Sequence, residues 1–146
     1  MPPFRFHLQS VLNYRAQLED QAKLALAGAK GKYERQRCEV ERLEGELKQA
    51  FKRRHEPAKA NRDEAWLLEN YCKGLAEDLE QAQALLRHLA VEMEKARQKL
   101  VQAVQDRSLL AKLKERHYER HLKEENLQEL RFNDEITTLR PRPAPF

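Results

Sequence analysis

The chain has 146 residues, 36% of them charged and a net charge of +4, with a mean hydropathy of −0.91. Only 4 glycines and 6 prolines interrupt it, and Leu, Ala, Glu, Lys, Arg and Gln dominate, which is the composition of long exposed helices. This excludes a large apolar interior and a bilayer span, which needs roughly 20 apolar residues in a row. The 28 basic residues are interleaved with 24 acidic ones, unlike the concentrated basic face of a nucleic-acid binder.

Residues 1–7 contain no apolar core of a signal peptide, so a cytoplasmic location is expected. A first helix is expected over residues 8–54. Its series Ala22, Leu26, Ala29, Tyr33, Gln36, Val40, Leu43, Leu47, Ala50 advances in steps of four and three. That period of 3.5 is a coiled-coil seam. Charged residues flank it, and Glu44 with Lys48 is spaced for an i,i+4 pair. Gly28-Ala29-Lys30-Gly31-Lys32 has neither the spacing nor the preceding strand of a phosphate loop. Its glycines are small residues in a coil, where they permit bending or close approach.

Pro57 then removes a backbone donor and moves Glu56 out of the helical region. A turn over residues 55–62 is expected here, in preference to a kink in one continuous helix, with Asn61 or Asp63 capping the second helix. The basic run Phe51-Lys52-Arg53-Arg54-His55 abuts this turn and reads as a solvated tip. The zipper type of DNA binder needs a longer basic helix continuous with a parallel zipper.

The second helix is expected over residues 63–138. Its seam reads Leu68, Tyr71, Leu75, Leu79, Ala82, Leu86, Leu89, Met93, Ala96, Leu100, Ala103, apolar or aromatic throughout. Trp66 and Tyr71 near the turn suit either an exposed protein interface or, for Tyr71, the seam itself. If the turn centres on residues 57–60, Leu8 lies opposite Leu109, and everything beyond about Leu113 overhangs. There the apolar positions Leu113, Tyr118, Leu122, Leu127, Leu130 and Ile136 are too sparse for a strong seam. The overhang is either a solvated helix end or a docking segment ordered by a partner. Glu119 and Lys123 lend it helix-surface support. Phe4, Phe6 and Leu8 either cover the base of the hairpin against Leu109 and Leu113 or face a partner. Pro141, Pro143 and Pro145 end the helix in a short tail over residues 140–146.

His117 and His121 share a helix face but lack a third ligand, so they read as surface histidines and no metal is expected. Cys38 and Cys72 match no metal motif and read as free thiols. No nucleophile–base pair, carboxylate dyad or cofactor loop stands out. Two paired helices offer convex surface where catalysis needs a concave site. The expectation is therefore a single all-α domain, an antiparallel two-helix coiled-coil hairpin that binds proteins, with no enzyme activity and no cofactor.

The opening Phe4-Arg5-Phe6-His7-Leu8-Gln9-Ser10-Val11-Leu12 with Arg15 resembles the N-terminus of the FliJ family of flagellar export proteins. Leu113-Lys114-Glu115-Arg116, with Tyr118, Arg120, Lys123-Glu124-Glu125 and Asp134-Glu135-Ile136, resembles that family's closing segment. The resemblance covers nearly the whole chain. It implies a hairpin similar to the central stalk of rotary ATPases, inserted into a FliI-like hexameric export ATPase to promote its assembly and activity. It also implies contact with an FlhA-like export gate, a link to export chaperones, and peripheral association with the inner membrane through the export apparatus. Carried over by position, Arg15, Lys114, Arg116, Arg120, Lys123 and Glu124 are candidate ATPase contacts. Trp66, Tyr71 and Leu75 are candidate gate contacts, while Asp78 stands where a small apolar residue is usual. Two other readings fit the same residues: the equivalent stalk of a virulence type III secretion system, and a generic structural coiled coil.

Overall fold

A computed structural model describes residues 2–55 and 62–139. The expected turn around Pro57, the Asn61 cap and the proline tail lie outside the described residues. The fold is all-α, a hairpin of two helices packed against each other. Helix α1 spans Gln9–His55 and α2 spans Arg62–Leu139. Helix α1 opens on a turn in which the Gln9 amide donates to the Phe6 carbonyl. Asp63 lies within the first turn of α2 together with Glu64, so it is not the cap. There it favours the positive end of the helix dipole.

The chain divides into two compact units. One combines residues 1–19 with 102–146, and the other is residues 20–101. The second unit holds the main apolar cluster of Val40, Leu43 and Ala50 on α1 and Cys72, Leu75 and Ala82 on α2, with Leu47, Leu79 and Leu86 packed against it. The helices run antiparallel: the Gln36 amide donates to the Ala82 carbonyl at 3.0 Å, and Arg54 lies 3.9 Å from Glu69. Every position of the α1 series, including Leu26 and Tyr33, is buried or half-buried.

The α2 seam differs from the sequence reading at one position. Tyr71 is 52% exposed and Cys72 only 3%. The inward series is Leu68, Cys72, Leu75, Leu79, Ala82, Leu86, Leu89, Met93, Ala96, Leu100, Ala103, in unbroken steps of four and three. A thiol behaves as a small hydrophobe, and Cys72 restores the regular period that Tyr71 breaks. Cys38, by contrast, is exposed.

The first unit has a polar layer. Glu19 is buried and is bonded by Arg107, whose side chain lies in the same layer. One turn away Arg15 approaches Asp106 at 3.5 Å, and Gln102 donates to the other oxygen of Asp106. Glu19 and Arg107 continue the seams of α1 and α2 in step, at positions where apolar residues normally stand.

Pairing extends further along α2 than a turn at residues 57–60 implies. Arg15 meets Asp106, not Gln102. Phe6 meets His117, and Phe4 meets Tyr118 and His121. Leu109 is 68% exposed and covers nothing. The reason is local: residues 2–6 are not helical, and extended chain advances about 3.3 Å per residue against 1.5 Å in a helix. Glu125 is the last half-buried residue, and all of residues 126–139 are exposed. The overhang therefore begins after Glu125 and not after Leu113.

On the outer face of α1, Arg37 bridges Glu34 and Glu41, and Arg42 bridges Glu39 and Glu46. The expected Glu44–Lys48 and Glu119–Lys123 pairs do not form among the described residues. A guanidinium fork reaches i−3 and i+4 together, whereas an ammonium is more strongly hydrated. The hydrogen bond from Arg42 holds the Glu39 carboxyl below its ordinary range. The hydrogen bonds that Arg37 donates to Glu34 and Arg42 to Glu39 raise the two guanidinium groups. Because the folded-state value of Glu39 is depressed, its pairing contributes at neutral pH and is lost as pH falls through the carboxylate range.

The glycines do not serve close approach. A Cβ built at Gly28, Gly31, Gly45 or Gly74 meets nothing within 4 Å. Alanine at Gly28 and Gly31 should therefore stabilise the helix by about 0.5–1 kcal/mol each. Urea unfolding followed by circular dichroism checks this. A lower midpoint for either variant would contradict it.

Candidate functional site

Two surfaces collect the residues that the sequence singled out. The first lies in the unit formed by residues 1–19 and 102–146. There the extended N-terminal segment lies along α2. Phe6 is buried, with its ring 5.7 Å from His117 in an edge-on arrangement. His7 stacks on the same imidazole at 5.5 Å and 17°. Phe4 sits between Tyr118 at 5.4 Å and His121 at 5.5 Å. These contacts bury apolar rings while leaving charged groups at the rim.

Beside them Pro2, Pro3, Phe4, Arg5, His117, Arg120, His121 and Glu124 line a cleft of about 480 Å³. The cleft is thus lined by two guanidinium groups, two imidazoles and one carboxylate. Of the candidate ATPase contacts, the structure brings Arg120 and Glu124 together in this cleft. Arg116 and Lys123 are exposed on α2 outside it, and Lys114 is half-buried. Arg15 stands apart, engaged with Asp106.

Sequence reasoning missed Arg5 and read His117 and His121 as surface histidines. Both are half-buried against the N-terminal rings. The available signal was the Phe-x-Phe-His opening, which places aromatic side chains where an i,i+4 pair of histidines could receive them. Among the described residues no cluster of three or more His, Cys, Asp or Glu is arranged to hold a metal.

The second surface lies in the unit of residues 20–101, next to the end of α1 and the start of α2. Trp66 is 64% exposed, with Leu67 and Tyr71 also exposed. Leu75 is buried in the seam at 6%, so among the candidate gate contacts only Trp66 and Tyr71 face solvent. Leu67 was not singled out from the sequence. A neighbouring cleft of about 560 Å³ is lined by Glu44, Leu47, Lys48, Phe51, Lys52, His55 and Leu79. Leu47 and Leu79 also pack against the core, so the seam is open to solvent on this side. An apolar floor with a charged rim is the anatomy of a protein interface.

The family profile described as "Flagellar FliJ protein" matches residues 4–144. The chain belongs to the FliJ family. Comparison with curated proteins and with solved structures found no match. Membership in FliJ makes this a flagellar export-related coiled-coil protein, with partners in that machinery. The matched span contains the second surface and all of the first except Pro2 and Pro3. Among the described residues no helix is long and apolar enough to cross a membrane.

Proposed function

We propose that this FliJ-family chain acts as the stalk of the flagellar export ATPase. Its terminal end, where the N-terminal segment meets α2, enters a FliI-like hexamer and promotes assembly and hydrolysis there. The hydrolysis belongs to the partner, and the chain itself is not an enzyme. The surface of the other unit, with Trp66 and Tyr71, contacts an FlhA-like export gate. Export chaperones are further partners, and the chain is held at the cytoplasmic face of the inner membrane only through these proteins.

The observation that carries the reading is the asymmetry of the hairpin. Helix α2 continues past the last cover from the N-terminal segment, and all of residues 126–139 are exposed. A long exposed helix is marginal alone and is stabilised by packing against another surface. Next to it, Arg116, Arg120 and Lys123 offer exposed positive charge, suited to acidic side chains on the wall of a ring. Leu75 supports the gate reading differently from Trp66 and Tyr71: it holds the helix beneath them in place.

The test uses the full chain. Arg116→Glu, Arg120→Glu and Lys123→Glu together should abolish co-purification with the export ATPase while leaving helicity unchanged. Truncation after residue 125 separates the overhang from the cleft, because it spares every contact of Phe4 and Phe6. Undiminished co-purification of the charge-reversed chain would overturn the placement of the docking end.

A further inference from the structure

We propose that α2 beyond the N-terminal cover carries a docking stripe for one amphipathic helix of a partner protein, a helix whose apolar seam is interrupted by lysine or arginine. The stripe is Leu122, Glu125, Glu129, Phe132, Ile136, Leu139. Its members advance by three, four, three, four and three residues, so they share one face of the helix. Leu122, Phe132, Ile136 and Leu139 are exposed, Leu139 at 82%. The stripe extends a series that includes Tyr118, whose ring is taken by Phe4 at 5.4 Å. Leu122 and Glu125 lie at the edge of the intramolecular cover, the other four members lie beyond it, and the stripe runs for about 27 Å at 1.5 Å per residue.

Four apolar side chains on one solvent-facing seam call for an apolar partner surface. Two carboxylates in the middle of that seam specify its charge. Against an uncharged helix, Glu125 and Glu129 would be desolvated with no compensation. Opposite lysine or arginine they are paired, and they fix register in the way polar seam residues do. The surroundings have the same sign: Glu124, Asp134 and Glu135 outnumber Lys123 and Arg131. The occupant is accordingly basic as well as amphipathic.

A second copy of the chain fits poorly. An antiparallel pairing that sets Leu122 against Phe132 of the other copy also sets Glu125 against its Glu129, twice over. A parallel pairing stacks each glutamate on itself. An anionic membrane surface meets the same obstacle, because carboxylates interrupt the apolar face and the flanks repel it. The stripe is defined by this chain's own residues and does not rest on the ATPase reading, so either can fail without the other.

The probes are two synthetic helical peptides of about 21 residues with identical apolar heptads. One carries lysine at the two central seam positions and the other glutamate. Each is titrated with the full chain and followed by fluorescence anisotropy. The lysine peptide should bind at least tenfold more tightly than the glutamate peptide. Glu125→Lys with Glu129→Lys should invert the preference. Phe132→Ser with Ile136→Ser should weaken the lysine peptide at least tenfold at unchanged helicity. Equal binding of the two peptides, or no binding, would overturn the proposal. So would a concentration-dependent dimer in sedimentation that Phe132→Ser abolishes, since the stripe would then hold a second copy.

Discussion

Replacing Leu75 with alanine should destabilise the protein by about 2–4 kcal/mol, whereas replacing Tyr71 should cost less than about 1 kcal/mol. Leu75 is buried among Val40, Leu43, Cys72 and Ala82. Its truncation removes apolar surface and leaves a gap that the two packed helices cannot readily close. Tyr71 lies one turn away on the same helix but is more than half exposed, so most of its ring stays in water either way. Urea unfolding monitored by helicity gives both values. Equal losses would mean that Tyr71 and not Cys72 occupies the seam. The same pair tests the proposed gate contact: Tyr71→Ala should weaken it in a fully folded chain, whereas any defect of Leu75→Ala must first be corrected for unfolding.

The second large effect lies in the polar layer. Replacing Arg107 with leucine leaves the Glu19 carboxylate buried without its guanidinium. A fully enclosed charge stranded in this way costs about 3–5 kcal/mol. Here the Arg107 side chain is 40% exposed and Glu19 keeps a further interaction, so the expected loss is about 1–3 kcal/mol. The double replacement Glu19→Leu with Arg107→Leu should recover the loss or exceed the parent in stability, because an apolar layer carries no desolvation cost. A double-mutant cycle in urea measures the coupling. Additive single effects would show that the two side chains do not interact. The double variant should lose in specificity what it gains in stability: with the polar layer gone, alternative registers and self-association become accessible.

Much of the fold could be read from residue spacing. Leu26, Tyr33, Val40, Leu43 and Leu47 repeat with the period that two supercoiled helices require, and all of them turn inward. The misplaced Tyr71 has a clear cause: an aromatic ring looks more apolar than the thiol beside it, but Cys72 keeps the period. The Glu19–Arg107 layer was hidden for the opposite reason. A charged residue in a charged sequence reads as surface, and only a paired partner distant in the chain makes its burial possible. Helical spacing alone does not decide whether Phe4 and Phe6 cover α2 or face a partner, because the covering segment is extended and has a different rise per residue.

Only part of the candidate-site geometry follows from residue spacing. The family resemblance singled out Arg120 and Glu124, and the structure gathers them with Arg5, His117 and His121 along one cleft. Arg15, matched to the same end by family pattern, is occupied by Asp106. The stripe beyond residue 121 escaped because Glu125 and Glu129 interrupt its apolar series, and because Leu139 lies one residue past the expected helix end at 138. In the unit of residues 20–101 Leu67 joins Trp66 and Tyr71 as exposed apolar surface, while Leu75 is withdrawn from it.

The central claim is that this hairpin acts on an export ATPase through its terminal end. The most direct measurement is the rate of ATP hydrolysis by the purified export ATPase, with and without the full chain, alongside its oligomeric state by sedimentation. Faster hydrolysis and a larger hexamer fraction are expected with the full chain, and neither effect with the Arg116→Glu, Arg120→Glu, Lys123→Glu chain. An unchanged rate and an unchanged oligomer distribution with the full chain would contradict it.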